Sequence, residues 1–220
     1  MPLNALQRQL ERIYEVEVDY RVEDFLLTDA GAARRLENSS SSRQVDEKLL
    51  VAEEPDALAL TLYLDPGLVA RLRGDDPTAR VHAGNLTDLA TAVEGVSHFL
   101  LVTWSALHGR AVSLLELEMQ AEIDKYVTTA FLWGQQRNGH VPAALHEWLF
   151  GSPRFDPALA AEELERYQRA HSWAARFCAW LEQRYLRSGP VGGLVHELRR
   201  FYRLSREEKV RRGDGHRGRA

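Results

Sequence analysis

The chain has 220 residues, of which 45% are hydrophobic and 27% are charged, a balance typical of a globular protein with a buried core. It has one cysteine, Cys178, so an internal disulfide is excluded and a reducing compartment is favoured. The N-terminus lacks the apolar segment of a signal peptide, and no stretch reaches the ~20 apolar residues of a membrane span. We therefore expect a cytoplasmic protein that does not associate with a membrane.

The first elements expected along the chain are a helix and three strands. Leu3, Leu6, Leu10 and Ile13 follow helical spacing. The next nine residues, 14–22, alternate apolar and polar side chains and predict a half-buried strand. Residues 30–37 predict a short helix that Thr28 or Asp29 would cap, and 38–42 a flexible loop. Strands are predicted at 48–53 and 57–64, on either side of a turn at 54–56.

The rest of the sequence predicts helices. A short one should follow Asp65-Pro66, and a longer one should cover residues 86–108, although a buried strand at 98–104 is the alternative. Ser113 and Glu116 have the spacing of a capping box, which predicts a helix over 113–133. Further helices are expected at 142–149, from Asp156-Pro157 to about Ser188, and from about Leu194 onward.

This order of elements predicts an α+β fold, with a small three-stranded antiparallel sheet in the N-terminal third packed on a mainly helical body. We expect a single domain over residues 1–212, with a sheet-containing part at 1–73 and a helical part at 85–212. Three strands need a covering layer, and the central helices would supply it. Residues 213–220 should form a disordered basic tail that can be deleted without changing the thermal midpoint.

Helix 113–133 has two apolar rows with acidic side chains between them, so its carboxylates must find partners or form a site. If 109–112 is a tight turn, helices 86–108 and 113–133 form an antiparallel pair and His98 lies near Glu122. The catalytic candidates are then His98, Glu118, Glu122 and Lys125, and the metal-ligand candidates are Glu94, His98 and Glu122. The alternative is a row of ion pairs and hydrogen bonds that only stabilises the fold.

We expect structural roles for the remaining histidine, cysteine and tryptophan candidates. His171 and Cys178 share the apolar stripe of a long helix, where a hydrogen-bonded core histidine and a small buried thiol are the usual cases. The five tryptophans all fall in predicted helices and are expected in the core rather than in a base-stacking platform.

The charge is uneven, since residues 1–198 carry a net charge of −10 and residues 199–220 carry +6. The basic end could be solvated, could bind an acidic protein surface, or could contact the phosphates of a nucleic acid, which the acidic body would repel. Its basic residues are Arg199, Arg200, Arg203, Arg206, Lys209, Arg211, Arg212, Arg217 and Arg219.

The sequence has none of the common nucleotide-binding, metalloprotease, hydrolase or calcium-loop motifs. We therefore expect an interaction or regulatory protein without catalytic activity, which binds a protein partner through its helical body and needs no cofactor. The alternative is a hydrolase-like or metal-dependent enzyme with its acid/histidine cluster between the two central helices. Nucleic-acid contact through the basic tail is the third expectation. The oligomeric state is left open by the sequence.

Overall fold

The computed structural model describes residues 2–37, 45–54, 57–187 and 191–215 and shows an α+β fold with a mainly helical body and a small three-stranded sheet. The helices are α1 (Leu3–Tyr14), α2 (Ala30–Glu37), α3 (Pro66–Gly74), α4 (Leu86–Leu107), α5 (Leu114–Gln136), α6 (Leu145–Phe150), α7 (Ala161–Leu181), α8 (Val191–Arg203) and α9 (Arg206–Gly215). The strands are β1 (Leu26–Leu27), β2 (Glu47–Glu54) and β3 (Ala57–Leu64). A 3-10 turn covers Val22–Phe25, and a π turn covers Glu182–Leu186.

The chain divides into two compact units. The first unit contains Met1–Gln9 and Glu17–Ala111, and the second contains Leu10–Val16 and Val112–Ala220. The sheet belongs to the first unit, whereas α5 to α9 belong to the second. None of the helices in the described ranges is long and apolar enough to span a membrane.

The sheet is mixed, with strand order β1-β3-β2, which corrects the expectation of a purely antiparallel sheet. β2 and β3 form an antiparallel hairpin from Glu47↔Leu64 to Glu54↔Ala57, close to the predicted strand bounds. β1 contains only two residues and pairs parallel with β3 through Leu26↔Leu62. Because β2 is antiparallel to β3, the two edge strands β1 and β2 run in opposite directions.

The strand predicted at residues 14–22 is wrong. Val18 and Val22 are buried as the alternation implied, but the side chain of Gln7 on α1 takes the hydrogen bonds that a strand partner would make. Gln7 Nε2 donates to the carbonyl oxygen of Tyr20 at 2.7 Å, and its Oε1 accepts from the Val22 amide at 2.8 Å. The alternation of apolar and polar residues over 14–22 therefore reflects burial against a helix rather than pairing in a sheet.

Capping residues in the sequence predict most helix starts correctly. Asp65 Oδ1 accepts from the Leu68 amide at 3.0 Å, and Ser113 Oγ accepts from the Glu116 amide at 3.3 Å, so α3 and α5 begin where their caps predicted. The start of α7 is different, because Asp156 closes a turn with the Ala158 amide and the helix begins only at Ala161. Residues 98–104 are helical within α4, which excludes the strand alternative.

Three predictions concern parts of the chain outside the described residues: the loop at 38–42, the centre of the turn at 54–56, and residues 216–220 of the tail. The preceding residues, up to Gly215, belong to α9. The antiparallel packing of helices 86–108 and 113–133, and the single domain over 1–212, stay predictions.

In the first unit α4 packs on the sheet, and Gly95 allows the close approach. A Cβ atom at this position would lie 2.8 Å from Leu62 Cδ1, closer than packed side chains come, and 3.1 Å from Glu47 Cγ, a tighter contact than most. Glycine is a poor helix former, so its presence inside α4 reflects this contact with the sheet.

We predict that Gly95→Ala destabilises the first unit by about 1–3 kcal/mol, because the overpacking outweighs the gain in helix propensity. Chemical denaturation followed by circular dichroism measures the loss. Gly74→Ala is the matched control, since nothing lies within 4 Å of a Cβ at that position of α3. Equal stability of the two variants would contradict the packing argument.

Candidate functional site

The structure places the predicted site residues in both units. Glu94 and His98 lie on α4 of the first unit, and the other three candidates, Glu118, Glu122 and Lys125, lie on α5 of the second. In the first unit, His98 Nδ1 is 3.6 Å from Glu47 Oε1 on β2, a contact that the sequence did not suggest. The approach of His98 to Glu122, and metal binding that includes them, stay predictions.

Glu122 is the centre of a charged cluster within the second unit. Lys125, one turn along α5, contacts Glu122 Oε1, and His171 Nδ1 on α7 lies 3.0 Å from Glu122 Oε2. Burial alone would raise the pKa of Glu122, but Lys125 and His171 outweigh it and lower this pKa to about 2. Both carboxylate oxygens are thus engaged by cations. A metal ion at Glu122 would have to displace Lys125 or His171.

The surroundings of His171 favour its charged form. Its Nδ1 faces the Glu122 carboxylate, and its Nε2 lies 3.2 Å from the carbonyl oxygen of Phe150. Both neighbours accept hydrogen bonds, so both ring nitrogens must donate, which only the imidazolium can do. Burial alone would lower the pKa of His171, but Glu122 and the Phe150 carbonyl raise it. A histidine held in this way is poorly suited to be a general base.

A second acidic group of α5, Asp124, is engaged by neutral donors. Asp124 is 1% exposed and accepts a short hydrogen bond from the hydroxyl of Tyr14, the last residue of α1. Gln120 Nε2 donates to Asp124 Oδ1 at 2.9 Å and to Tyr14 Oη at 3.0 Å. Burial, followed by the charge of Asp124, raises the pKa of Tyr14 well above its ordinary value, so Tyr14 stays a donor.

The third example is an ion pair that is buried on both sides. Lys209 Nζ on α9 lies 2.7 Å from Glu116 Oε1, and the side chains are 0% and 2% exposed. The ammonium group also lies 5.6 Å from the ring centre of Phe201 and 5.7 Å from that of Tyr202. One of the nine cations of the basic C-terminal end is therefore part of the core of the second unit.

Two arginines of α8 also act inside the second unit. Arg199 Nε donates to the carbonyl oxygen of Ile13 at 3.1 Å, and Arg203 donates to those of Tyr14 and Glu15 at 2.8 Å each. These carbonyls lie at the C-terminal end of α1, where helical partners are missing and a positive charge is favourable. Glu15 itself has a φ of 54°, the left-handed conformation that often ends a helix.

A shallow cleft of about 260 Å³ lies between α6 and the π turn, lined by Ala143, His146, Glu147, Ala179, Glu182, Gln183 and Arg187. Glu182 is fully engaged, since Arg187 contacts Oε1 at 2.7 Å and the Tyr126 hydroxyl donates to Oε2 at 3.2 Å. His146 Nε2 donates to the carbonyl oxygen of Ala175 at 2.8 Å. The cleft thus holds one fixed ion pair and one anchored histidine.

Cys178 is fully buried in the second unit. Burial, followed by the charges of Glu122, Asp124 and Glu182, raises the pKa of its thiol well above the ordinary value. The thiolate that a nucleophile requires is therefore disfavoured.

The surface of the second unit has one feature that the sequence analysis missed. Trp148 on α6 is 49% exposed, and its ring centre lies 5.6 Å from that of the buried Trp133 on α5. The Arg137 guanidinium lies over Trp133, 4.6 Å from the ring centre. We call these three side chains the Trp148 surface. The remaining tryptophans, Trp104, Trp173 and Trp180, are buried or half-buried, as expected.

Comparisons of the chain with protein-family models, with curated proteins and with solved structures gave no significant match.

We predict that Glu122→Gln lowers the free energy of unfolding by about 1–3 kcal/mol at neutral pH, because Lys125 and His171 lose their charged partner. The contribution of Glu122 is present above about pH 4.5, its ordinary pKa, and is lost as the pH falls toward 2. The contribution of His171 is present below about pH 6.5, its ordinary pKa, and is lost as the pH rises through its raised pKa.

NMR titration of His171 measures the same coupling directly. Its pKa should lie above the ordinary value in the wild type and should fall in Glu122→Gln. Glu165→Gln on α7 is the control, since its exposed pair with Arg169 should contribute under about 0.5 kcal/mol. An ordinary pKa for His171 in the wild type would contradict the cluster described here.

Proposed function

We propose that this chain is a non-enzymatic interaction protein that binds a protein partner through its helical second unit, with Trp148 at the centre of the contact. The observation that carries the proposal is the half-exposed Trp148 ring beside Trp133 and Arg137. Tryptophan and arginine are the residues most enriched among those that dominate the affinity of protein interfaces.

The geometry of the Trp148 surface favours a particular kind of partner. Trp133 is buried and lies directly against Trp148, so it supports the exposed ring from below. A ring held in this way loses little conformational freedom on binding, which favours affinity. Arg137 adds a positive charge beside the two rings. The partner that fits is a protein segment with an apolar side chain next to a carboxylate.

The proposal gains support from the chemistry of the carboxylates in the second unit. Glu116, Glu122 and Asp124 are each held by cations or neutral donors of the same unit. A general acid or base needs a group that can exchange its proton with a substrate. Groups with such partners are better suited to stabilising the fold.

Nucleic-acid binding has less support than a protein partner. Arg199, Arg203 and Lys209, which the sequence assigned to a basic tail, make contacts within the second unit. Charges used in this way contribute less to the phosphate contacts on which nucleic-acid affinity depends.

Site-specific photo-crosslinking in the native host tests the proposal. A photoreactive amino acid replaces Ala144, which is exposed one turn before Trp148 on α6. We expect a discrete covalent adduct with a protein, and we expect this adduct to disappear when Trp148→Ala is added. Trp148 is half-exposed, so its replacement should leave the fold intact, which circular dichroism verifies.

The same photoreactive residue at Glu165, an exposed position of α7, is the matched control and should give no such adduct. An adduct at Ala144 that persists without Trp148, or no adduct at all, would contradict the proposal.

A further inference from the structure

The short strand β1 leaves part of β3 unpaired in the first unit, because it pairs with only two of the eight residues of β3. The amide of Asp65 donates to the carbonyl oxygen of Asp46, just before β2, at 2.8 Å. The odd-numbered residues of β3 therefore direct their backbone groups to β2, and the even-numbered ones direct theirs to the side of β1. Leu58 and Leu60 face that side, where no described residue bonds their amides or carbonyls.

A cleft of about 420 Å³ lies beside β1 and this part of β3. Both strands line it, together with the residues that precede β1 and one side of α2. A mainly apolar lining and a volume of this size are typical of sites that bind small ligands. The apolar lining consists of Phe25, Leu26, Leu27, Ala32, Leu36 and Leu60.

The cleft has one wall that is held in place and one apolar side chain that is exposed. The ring of Phe25 packs against that of Phe99 on α4, with 5.1 Å between the ring centres. Leu36 on α2 is 59% exposed. A ligand that covers this side chain removes apolar surface from water, which favours a ligand with apolar groups.

The cleft also has one charge of each sign. Asp24 and Arg35 both line it, and both are exposed. A free peptide has an ammonium group at one end and a carboxylate at the other, and these charges complement Asp24 and Arg35 respectively. An apolar ligand with a single charge would leave one of the two side chains without a counterpart.

We propose that this cleft binds a short free peptide with apolar side chains, in an extended conformation that pairs with Leu58 and Leu60 of β3. Backbone donors and acceptors at a sheet edge recognise the main chain of an added peptide, and neighbouring pockets recognise its side chains. The two facing residues are two positions apart, so three peptide residues are enough to reach both. This site belongs to the first unit and does not depend on the Trp148 surface.

NMR titration of the full chain with tri-leucine tests the pairing. We expect a Kd between about 10 μM and 1 mM, with chemical-shift changes at the amides of Leu58 and Leu60. Tri-leucine methylated on both amide nitrogens has the same side chains and ends but cannot donate these hydrogen bonds. It should bind about tenfold more weakly.

Capped peptides and charge variants test the two ends. Acetylation of the peptide amine, or Asp24→Asn, should each weaken binding about two- to fivefold, the range expected for an exposed ion pair. In Asp24→Asn the free and acetylated peptides should bind equally well. Arg35→Gln should likewise remove the preference for tri-leucine over its C-terminal amide. Both side chains are exposed, so these substitutions leave the fold intact, which circular dichroism verifies.

Arg73→Gln is the matched control, because Arg73 is an exposed arginine of the first unit that does not line the cleft. This variant should bind tri-leucine like the wild type. Three results would each overturn the proposal: no shift of the Leu58 and Leu60 amides at roughly 5 mM tri-leucine, equal binding of the methylated peptide, or equal binding of the capped peptides by the wild type.

Discussion

The second unit depends on the ion pair between Lys209 and Glu116. Both side chains are removed from water, and the nitrogen and oxygen are 2.7 Å apart. Two buried charges are tolerated only when each has its partner, since either one alone would carry a desolvation penalty of several kcal/mol. The pair therefore requires α9, near the end of the chain, to stay docked on α5. The rings of Phe201 and Tyr202 complete the surroundings of the ammonium group.

The same constraint explains the unusual sequence of α5. This helix is buried along most of its length, yet it carries acidic side chains at several buried positions. Three of these carboxylates have partners on other parts of the second unit: Glu116 contacts Lys209 of α9, Asp124 accepts from Tyr14 of α1, and Glu122 contacts His171 of α7. Because these contacts have fixed donors and acceptors, they specify one arrangement of the helices, which apolar packing alone does less strictly. We interpret the acidic rows of α5 as the device that selects this arrangement.

Local features of the chain could be predicted from the sequence, and long-range pairings could not. The caps at Asp65 and Ser113 each bond an amide three residues further on, so the local sequence is enough to predict them. Nothing near Glu116 identifies Lys209, which lies 93 residues away, and nothing near Asp124 identifies Tyr14, 110 residues away. The strand predicted at 14–22 failed for the same reason, since the side chain of Gln7 replaces a strand partner. The alternation of apolar residues correctly predicted that Val22 is buried, but it did not predict that the Val22 amide bonds the side chain of Gln7.

The proposed interaction rests on what the buried contacts leave at the surface of the second unit. Glu116, Glu122 and Asp124 have partners inside this unit, whereas the ring of Trp148 is half-exposed at its surface. The contacts that stabilise the fold and the surface proposed to bind a partner therefore use different residues.

A double-mutant cycle at Glu116 and Lys209 tests the central claim most directly. It compares the free energies of unfolding of Glu116→Gln, Lys209→Met and the double variant with that of the wild type. The account predicts a loss of about 3–5 kcal/mol for Lys209→Met, because Glu116 is left buried without its partner, and a much smaller loss for the double variant. Losses below about 0.5 kcal/mol that simply add would show that the two charges do not interact in the core, and would contradict the account.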